Sequence, residues 1–380
     1  MVRALNRRLI LNHIRQDGPV SRAKLVELTG LSPAAVTAVT AELIGTQFLL
    51  ERAVGQSSGG RPPVLLDLDY GAHYAVGLKL MESRLVGVLT DLSTRSLHQA
   101  SVELAGTSVE QVAAQAVGLS RDLFARTRAP QERMIGAGLG LAGVIDAARG
   151  VCHSSPYLGW RDVPIADLIA RDLGTPVWID NDVNAFATAE RLFGHGKRAQ
   201  NFVVVTVGRG IGAGLVLGGE LYRGRDGGAG EFGHTVTEPG GRRCECGNTG
   251  CLEAYASEPA LIARYNEQGK RAVHNIEALL ERARKGDQIA NALLEDGGRR
   301  VGQGLATIVN LLNPELIVVG GEGVRLGDRF FAAMRAALET HAFNGLARGL
   351  EVVVDAWGDD AWARGAAGLA VQRAFDLSGV

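Results

Sequence analysis

Three cysteines fall within eight residues, Cys244, Cys246 and Cys251, and His234 stands ten positions before the first of them. Three thiolates and one imidazole make a Cys3His donor set, the kind that closes a tetrahedral site around zinc. The glycines of GGRRCECGNTGC allow a loop to fold tightly around an ion. The competing reading is a loop of reduced cysteines. Only four cysteines occur in the chain, Cys152 standing alone, and nothing at Met1 to Arg8 resembles a cleavable export signal. In a cytoplasmic protein such clustering points to metal rather than to disulfides. One structural zinc per chain is expected, orienting His234 and leaving the other edge of its ring to approach a ligand.

A second group of residues suits nucleic acid. Ser21 can cap a helix over RAKLVELTG, Gly30 supplies a tight turn, and Ser32-Pro33 opens a further helix, PAAVTAVTAELI. Ser32, Ala34, Ala35, Thr37 and Thr40 are small or hydrogen-bonding, as a helix entering a major groove requires, and Arg22 lies on the helix before. FLLERAVGQSSGGRPPVLLDLD then reads as two strands around a Gly/Ser tip, a wing carrying Arg61 as a minor-groove or phosphate contact. A small three-helix interaction module and a solvated loop arginine are the bland alternatives.

The elements that must carry these groups follow from pattern. Ahead of the capped helices, LNRRLILNHIRQDG places Leu5, Leu9, Ile10 and Ile14 on one face; Leu25 and Leu28, then Val36, Val39 and Leu43, continue the inner surface. From Tyr74 short apolar strands alternate with helices, the signature of an α/β domain. Strands are expected at YAVGLKL, RLVGVLTD, RMIGAGLGLAG, PVWID, NFVVVTVG, GAGLVLG, PELIVVGG and LEVVVDA, and helices near 107–127, 164–173, 183–193, 288–312, 328–343 and 360–374. VGLKLMESRLVGVLTDL and VVVTVGRGIGAGLVLGGELYRG share a strand–turn–strand plan, which points to a duplicated lobe with a cleft between the copies.

Length and charge agree with this division. A chain of 380 residues exceeds one ordinary core, and no apolar run reaches the length of a membrane helix. Net charge is −1, but residues 1–66 hold eight Lys/Arg against four Asp/Glu, while residues 67–380 hold 32 against 37. A basic head on a mildly acidic body suits phosphate contacts.

Taken together, SRAKLVELTGLSPAAVTAVTAEL with GGRPP, GAGLGLAGVID, SSPYLGWRDVPI, IDNDVNAF, VTVGRGIGAGLVLGGELYRGRDGGAGEFGH, CECGNTGCLEAYAS and NPELIVVGGEGV resemble the ROK family of repressors and sugar kinases, in its regulator branch. The resemblance implies an α/β fold: an N-terminal winged helix-turn-helix over 1–67, then an actin-like, hexokinase-type (ribonuclease H-like) two-lobed domain over 68–380. Its lobes would run roughly over 68–180 with the C-terminal helix, and over 181–360. The resemblance also implies a sugar site. Asn181 and Asp182 match the family's sugar-binding pair, Asp182 at the general-base position; Glu231 with His234, and Glu253, match its further sugar ligands. Gly143 would give close backbone approach. Tyr157 stands where relatives often carry asparagine, which bears on the identity of the sugar.

The same resemblance argues against phosphoryl transfer. Where the kinases carry a DxGGT-type phosphate loop, this chain has Leu78-Lys79-Leu80-Met81, too bulky to cradle phosphate through the backbone. The second loop, VGRGIGAG, keeps Gly208, Gly210 and Gly212 but places Arg209 where threonine is common. Asp182 is therefore read as a sugar ligand. The expected protein is a cytoplasmic, sugar-responsive regulator, a repressor of carbohydrate-metabolism genes such as those for xylose. Its partners would be operator DNA, a monosaccharide such as glucose or xylose, and further copies of itself in a homodimer or homotetramer, with no membrane. Two alternatives stand: an active sugar kinase with a DNA-binding head, and a repressor controlled by a protein partner.

Overall fold

A computed structural model describes residues 2–52, 63–268, 271–355 and 360–376. The chain forms two compact units, one of residues 1–198 with 360–380 and the other of residues 199–359. No single helix among the described residues is long and apolar enough to cross a membrane.

The first unit opens with helix α1 (Val2–Asp17), strand β1 (Val20–Ser21), α2 (Arg22–Thr29), α3 (Pro33–Gly45), β2 (Leu49–Arg52) and β3 (Leu65–Leu68). Local chemistry sets these limits. The Ser21 and Ser32 hydroxyls accept from the backbone N–H groups of Lys24 and Ala35, and Gly30, at φ 67°, ends α2 in the left-handed region. The axes of α2 and α3 turn by 118° across that break. β3 pairs antiparallel with both β1 and β2, giving the order β1-β3-β2. The tip joining β2 to β3, with Arg61, lies outside the described residues. Two inward assignments need correction. Leu5 is 55% exposed and Leu28 37%, because Leu11 completes the buried stripe of α1 with Ile10 and Ile14, and short α2 buries only Leu25.

The unit's sheet is built from β4 (Tyr74–Leu80), β5 (Arg84–Asp91) and β6 (Ser96–Glu103), an antiparallel meander. Helix α4 (Val109–Ala125) leads to β7 (Met134–Leu141), parallel to β4. A side sheet of β8 (Val144–Asp146), β9 (Val151–Ser155) and β10 (Trp160–Val163) precedes α5 (Ile165–Leu173), β11 (Val177–Asn181) and α6 (Asp182–Phe193). The order is β11-β7-β4-β5-β6. Helix α6 buries nine of its 12 residues, which is why it completes this unit; the expected break at 180/181 falls at 198/199 instead.

The second unit repeats the plan. β12 (Phe202–Val207), β13 (Ile211–Leu217) and β14 (Glu220–Tyr222) form an antiparallel meander. Helices α7 (Glu253–Ala256), α8 (Glu258–Gln268), α9 (Ile276–Arg284) and α10 (Gln288–Leu312) lead to β15 (Leu316–Gly320), then α11 (Asp328–His341) and β16 (Glu351–Val354). β15 is parallel to β12 and β16 to β15, giving β14-β13-β12-β15-β16. Each sheet thus runs third, second, first, fourth, fifth in order of appearance.

The last helix, α12 (Ala361–Asp376), returns to the first unit. Its backbone lies so close to β4 and β7 that a Cβ on Gly77 or Gly138 would fall 1.8 Å from the carbonyl oxygen of Ala363 or Ala366. Ala367, Ala370, Val371 and Phe375 of α12 share one buried cluster with Ile10, Leu11 and Ile14 of α1, Leu25, Val36 and Leu43 of α2 and α3, and Leu192 of α6.

Candidate functional site

The groups of the first unit gather at the start of α6. Asp180, fully buried at the end of β11, accepts hydrogen bonds from the Asn181 backbone (2.8 Å) and from Asn184 Nδ2 (3.0 Å), which fixes the strand-to-helix turn. Asn181 caps α6: its Oδ1 accepts from the Val183 N–H at 2.9 Å, while its Nδ2 donates to the Gly143 carbonyl at 3.1 Å. Gly143 sits at φ 135°, and a Cβ there would lie 2.2 Å from the Ser154 carbonyl oxygen. That position admits only glycine. Asp182, the first residue of α6, accepts from the Val183 N–H through Oδ1 and pairs through Oδ2 with the ammonium of Lys79.

Lys79 was not among the expected site residues. It projects from β4, only 8% exposed, with its Nζ 5.0 Å from the centroid of the Trp362 ring. The bulk expected to obstruct a phosphate cradle is there, yet the more telling property is charge. The signal was a lone lysine in an otherwise apolar strand, YAVGLKL, since a buried charge requires a partner.

In the second unit, His234 ends a turn of 3-10 helix over Phe232–His234 whose Phe232 is buried, and the cysteines follow on a loop pinned by its own backbone. The Cys244 N–H donates to the Asn248 carbonyl (2.8 Å) and the Gly250 N–H to that of Arg242 (2.8 Å). The four donor atoms lie within 4.8 Å of one another. Cys244 Sγ is 3.6 Å from His234 Nδ1, and Cys246 Sγ is 3.8 Å from Cys251 Sγ. Tetrahedral zinc, with bonds of about 2.3 Å to sulfur and about 2.0–2.1 Å to nitrogen, needs about 3.5 Å and about 3.8 Å for those separations. The quartet therefore fits the ion. Burial pushes the Cys244 thiol up to about 12, so a thiolate there needs a cation beside it.

Glu231, at the head of the His234 turn, is exposed, with its Oε2 3.8 Å from His234 Nε2. Glu253, opening α7, accepts from the Ile211 N–H at 2.8 Å. Beside it runs the second glycine loop. A Cβ on Gly208 would come within 2.4 Å of Glu322 Oε2, so a carboxylate occupies the space against that loop. Arg209 pairs with Glu245 at 3.2 Å.

On α3, Ser32, Ala34 and Thr37 are exposed and Ala35 is half-buried. Thr40 requires a correction: it is fully buried, accepting from Arg22 Nε at 3.1 Å and donating to the Thr37 carbonyl, so it faces the interior rather than a partner. Arg22 is held between Thr40 and Glu51 (2.8 Å).

Twin five-stranded sheets of identical strand order, one carrying the asparagine–aspartate turn and the other a glycine loop, define a sugar-kinase-like α/β protein. The ROK family profile matches residues 76–373, and the chain belongs to the ROK family. The xylose repressor of Bacillus subtilis is 30% identical over 376 residues, 99% of this chain and 97% of its own. A crystal structure of a ROK family transcriptional regulator, a homolog of the Escherichia coli MLC protein, superposes with a TM-score of 0.87 at 28% identity, covering 99% of this chain and 97% of that one. A ROK family glucokinase from Streptomyces griseus, solved with glucose and AMPPNP, gives 0.67 at 29% identity over 79% of this chain and 99% of its own. Full-length likeness lies with the regulators, and the chain is a sugar-responsive transcriptional repressor.

Proposed function

We propose that residues 1–67 form a winged helix-turn-helix that binds operator DNA, and that a monosaccharide held in part by Asn181 and Asp182 alters that binding. Supporting the head are the 118° turn between α2 and α3, within the range of helix-turn-helix pairs, and the paired strands β2 and β3. Ser32, Ala34, Ala35 and Thr37 would face bases, with Arg22 and Arg61 toward the backbone or minor groove. The operator is bound by a symmetric dimer or higher oligomer.

One observation carries the sugar response. Arg15 of α1, buried, donates its guanidinium to the carbonyls of Arg191 (3.3 Å) and Leu192, the last turn of α6. Those carbonyls lack helical partners and lie at the negative end of the helix dipole. The opposite end of α6 bears Asn181 and Asp182. A shift of that helix on sugar binding is felt directly by the head, and the coupling runs both ways.

The proposed sugar ligands of the first unit are Gly143, Asn181 and Asp182; in the second unit Glu231, His234 and Glu253 stand at the positions of the family's further sugar ligands. Carboxylates accept from hydroxyl hydrogens, and the amide both accepts and donates, which together suit a polyol. His234, Cys244, Cys246 and Cys251 would hold one structural zinc, His234 through Nδ1, leaving Nε2 toward the ligand. The protein does not phosphorylate the sugar. Lys79 engages the acid that would act as base, and Glu322 sets negative charge against the loop that would take phosphate. Calorimetry with a sugar panel, a coupled ADP assay and an operator gel shift on the purified protein test this reading. Sugar binding without ADP release, together with sugar-dependent loss of the shifted band, is expected; sugar-dependent ADP production would overturn it.

A further inference from the structure

We infer that Lys79 is itself a ligand of the sugar, its ammonium donating to the oxygen of the same hydroxyl whose hydrogen Asp182 accepts. The inference rests on the sugar-binding reading of Asp182.

Lys79 is more than nine-tenths buried. Its ammonium carries three donors. Among the described residues it makes one hydrogen bond, to Asp182 Oδ2, and its remaining compensation is the face of the Trp362 ring. Donor capacity is therefore left over inside the fold, at the group the sugar must reach. Asp182 is held on both sides, Oδ1 by the Val183 N–H and Oδ2 by Lys79. A hydroxyl arriving at this carboxylate meets the ammonium in the same place. It can give its hydrogen to the acid and take one from the base, and both bonds are charge-assisted.

This arrangement selects a class of ligand. The charge of Lys79 is already matched by Asp182, so an anionic group placed there would face the carboxylate and lose what it gained from the ammonium. A neutral hydroxyl suffers no such conflict. The ligand at this position is an uncharged polyol hydroxyl rather than a phosphate or a carboxylate.

The test uses calorimetry on the full chain and on Lys79→Met and Lys79→Arg, with D-glucose, D-xylose and the monodeoxy analogues of whichever binds. The parent should lose at least about tenfold in affinity for one analogue, the one lacking the bridged hydroxyl. In Lys79→Met the penalty at that hydroxyl should shrink to about threefold or less, and Lys79→Arg should restore much of it. An unchanged penalty in Lys79→Met overturns the inference while leaving the sugar reading intact. A parent that binds neither sugar overturns both. If Lys79→Met does not fold, Asp182→Asn is compared with the double variant Lys79→Met/Asp182→Asn, in which no buried charge stands alone. A penalty kept by Asp182→Asn and lost in the double variant supports the bridge, and equal penalties in the two overturn it.

Discussion

The two units share one sheet plan and fix their polar groups by different means. In the first, Asp182 begins a helix buried along nearly its whole length, and its countercharge comes from Lys79 on a central strand. Both ends of that pair are held by core packing. In the second, Glu231 and His234 stand at a turn of 3-10 helix between strand and helix, and the loop beyond them, tied by its own backbone hydrogen bonds, closes on a donor quartet suited to zinc. Where packing positions a carboxylate a lysine suffices. Where a loop must do it, backbone hydrogen bonds and a donor quartet suited to a metal hold the turn.

The comparison breaks if the second unit needs no metal, and the largest expected effect lies there. Metal analysis of protein purified without chelator should give about one zinc per chain, and Cys246→Ser should lower that figure and unfold the loop, with a loss of more than about 5 kcal/mol given the apparent strength of structural zinc sites. Full zinc-free stability in chemical denaturation would remove the contrast between the units. Next, Asp182→Ala should cost about 3–5 kcal/mol of stability, because it strands a buried ammonium. Asp182→Asn should cost less, and equal stabilities of the two would mean that Lys79 finds solvent.

Two smaller effects sharpen the comparison within the first unit, between its head and its sheet. Thr37→Glu places a carboxylate on the exposed face of α3 and should lower operator affinity by at least about tenfold through repulsion from phosphate. Sugar affinity by calorimetry should stay within about twofold, since Thr37 makes only a local bond to the Pro33 carbonyl. Arg15→Met should leave sugar and operator affinities each nearly unchanged while reducing their mutual effect, a coupling of about 1–3 kcal/mol in proteins generally. Operator titrations with and without sugar measure it. Undiminished coupling would mean that α6 does not carry the signal.

Much of this was legible in the chain. YAVGLKL and RLVGVLTD match β4 and β5 residue for residue, and 288–312 is α10, because continuous apolar runs and a long helical period leave little choice. The duplicated strand–turn–strand plan became the twin strand order. The metal quartet was readable because cysteines are scarce enough for their spacing to carry information. Edge strand β6, SLHQASVE, was not anticipated: its residues alternate between partly exposed and exposed, so it lacks the apolar signature of its neighbours. The pattern alone does not fix the face of Thr40, because a small polar residue suits a buried hydrogen bond as well as a groove, and only the partner, Arg22, decides. In the sequence Lys79 shows only its bulk. Its meaning depends on a residue more than a hundred positions away, which no local pattern reports.

The closeness of α12 to Gly77 and Gly138 sets a timetable for synthesis. The first unit's strands and helices leave the ribosome early, but the helix that covers β4 and β7 and completes the core behind α1 comes from residues 361–376. Contacts between positions so distant in sequence form slowly, and domains tend to fold as they emerge. During translation the second unit can therefore close on its own contacts while the first still lacks a wall. Helices α1 to α3 acquire their full support only after residues 361–376 have been made, so a nascent chain that stops short of them lacks part of the core on which those three helices rest.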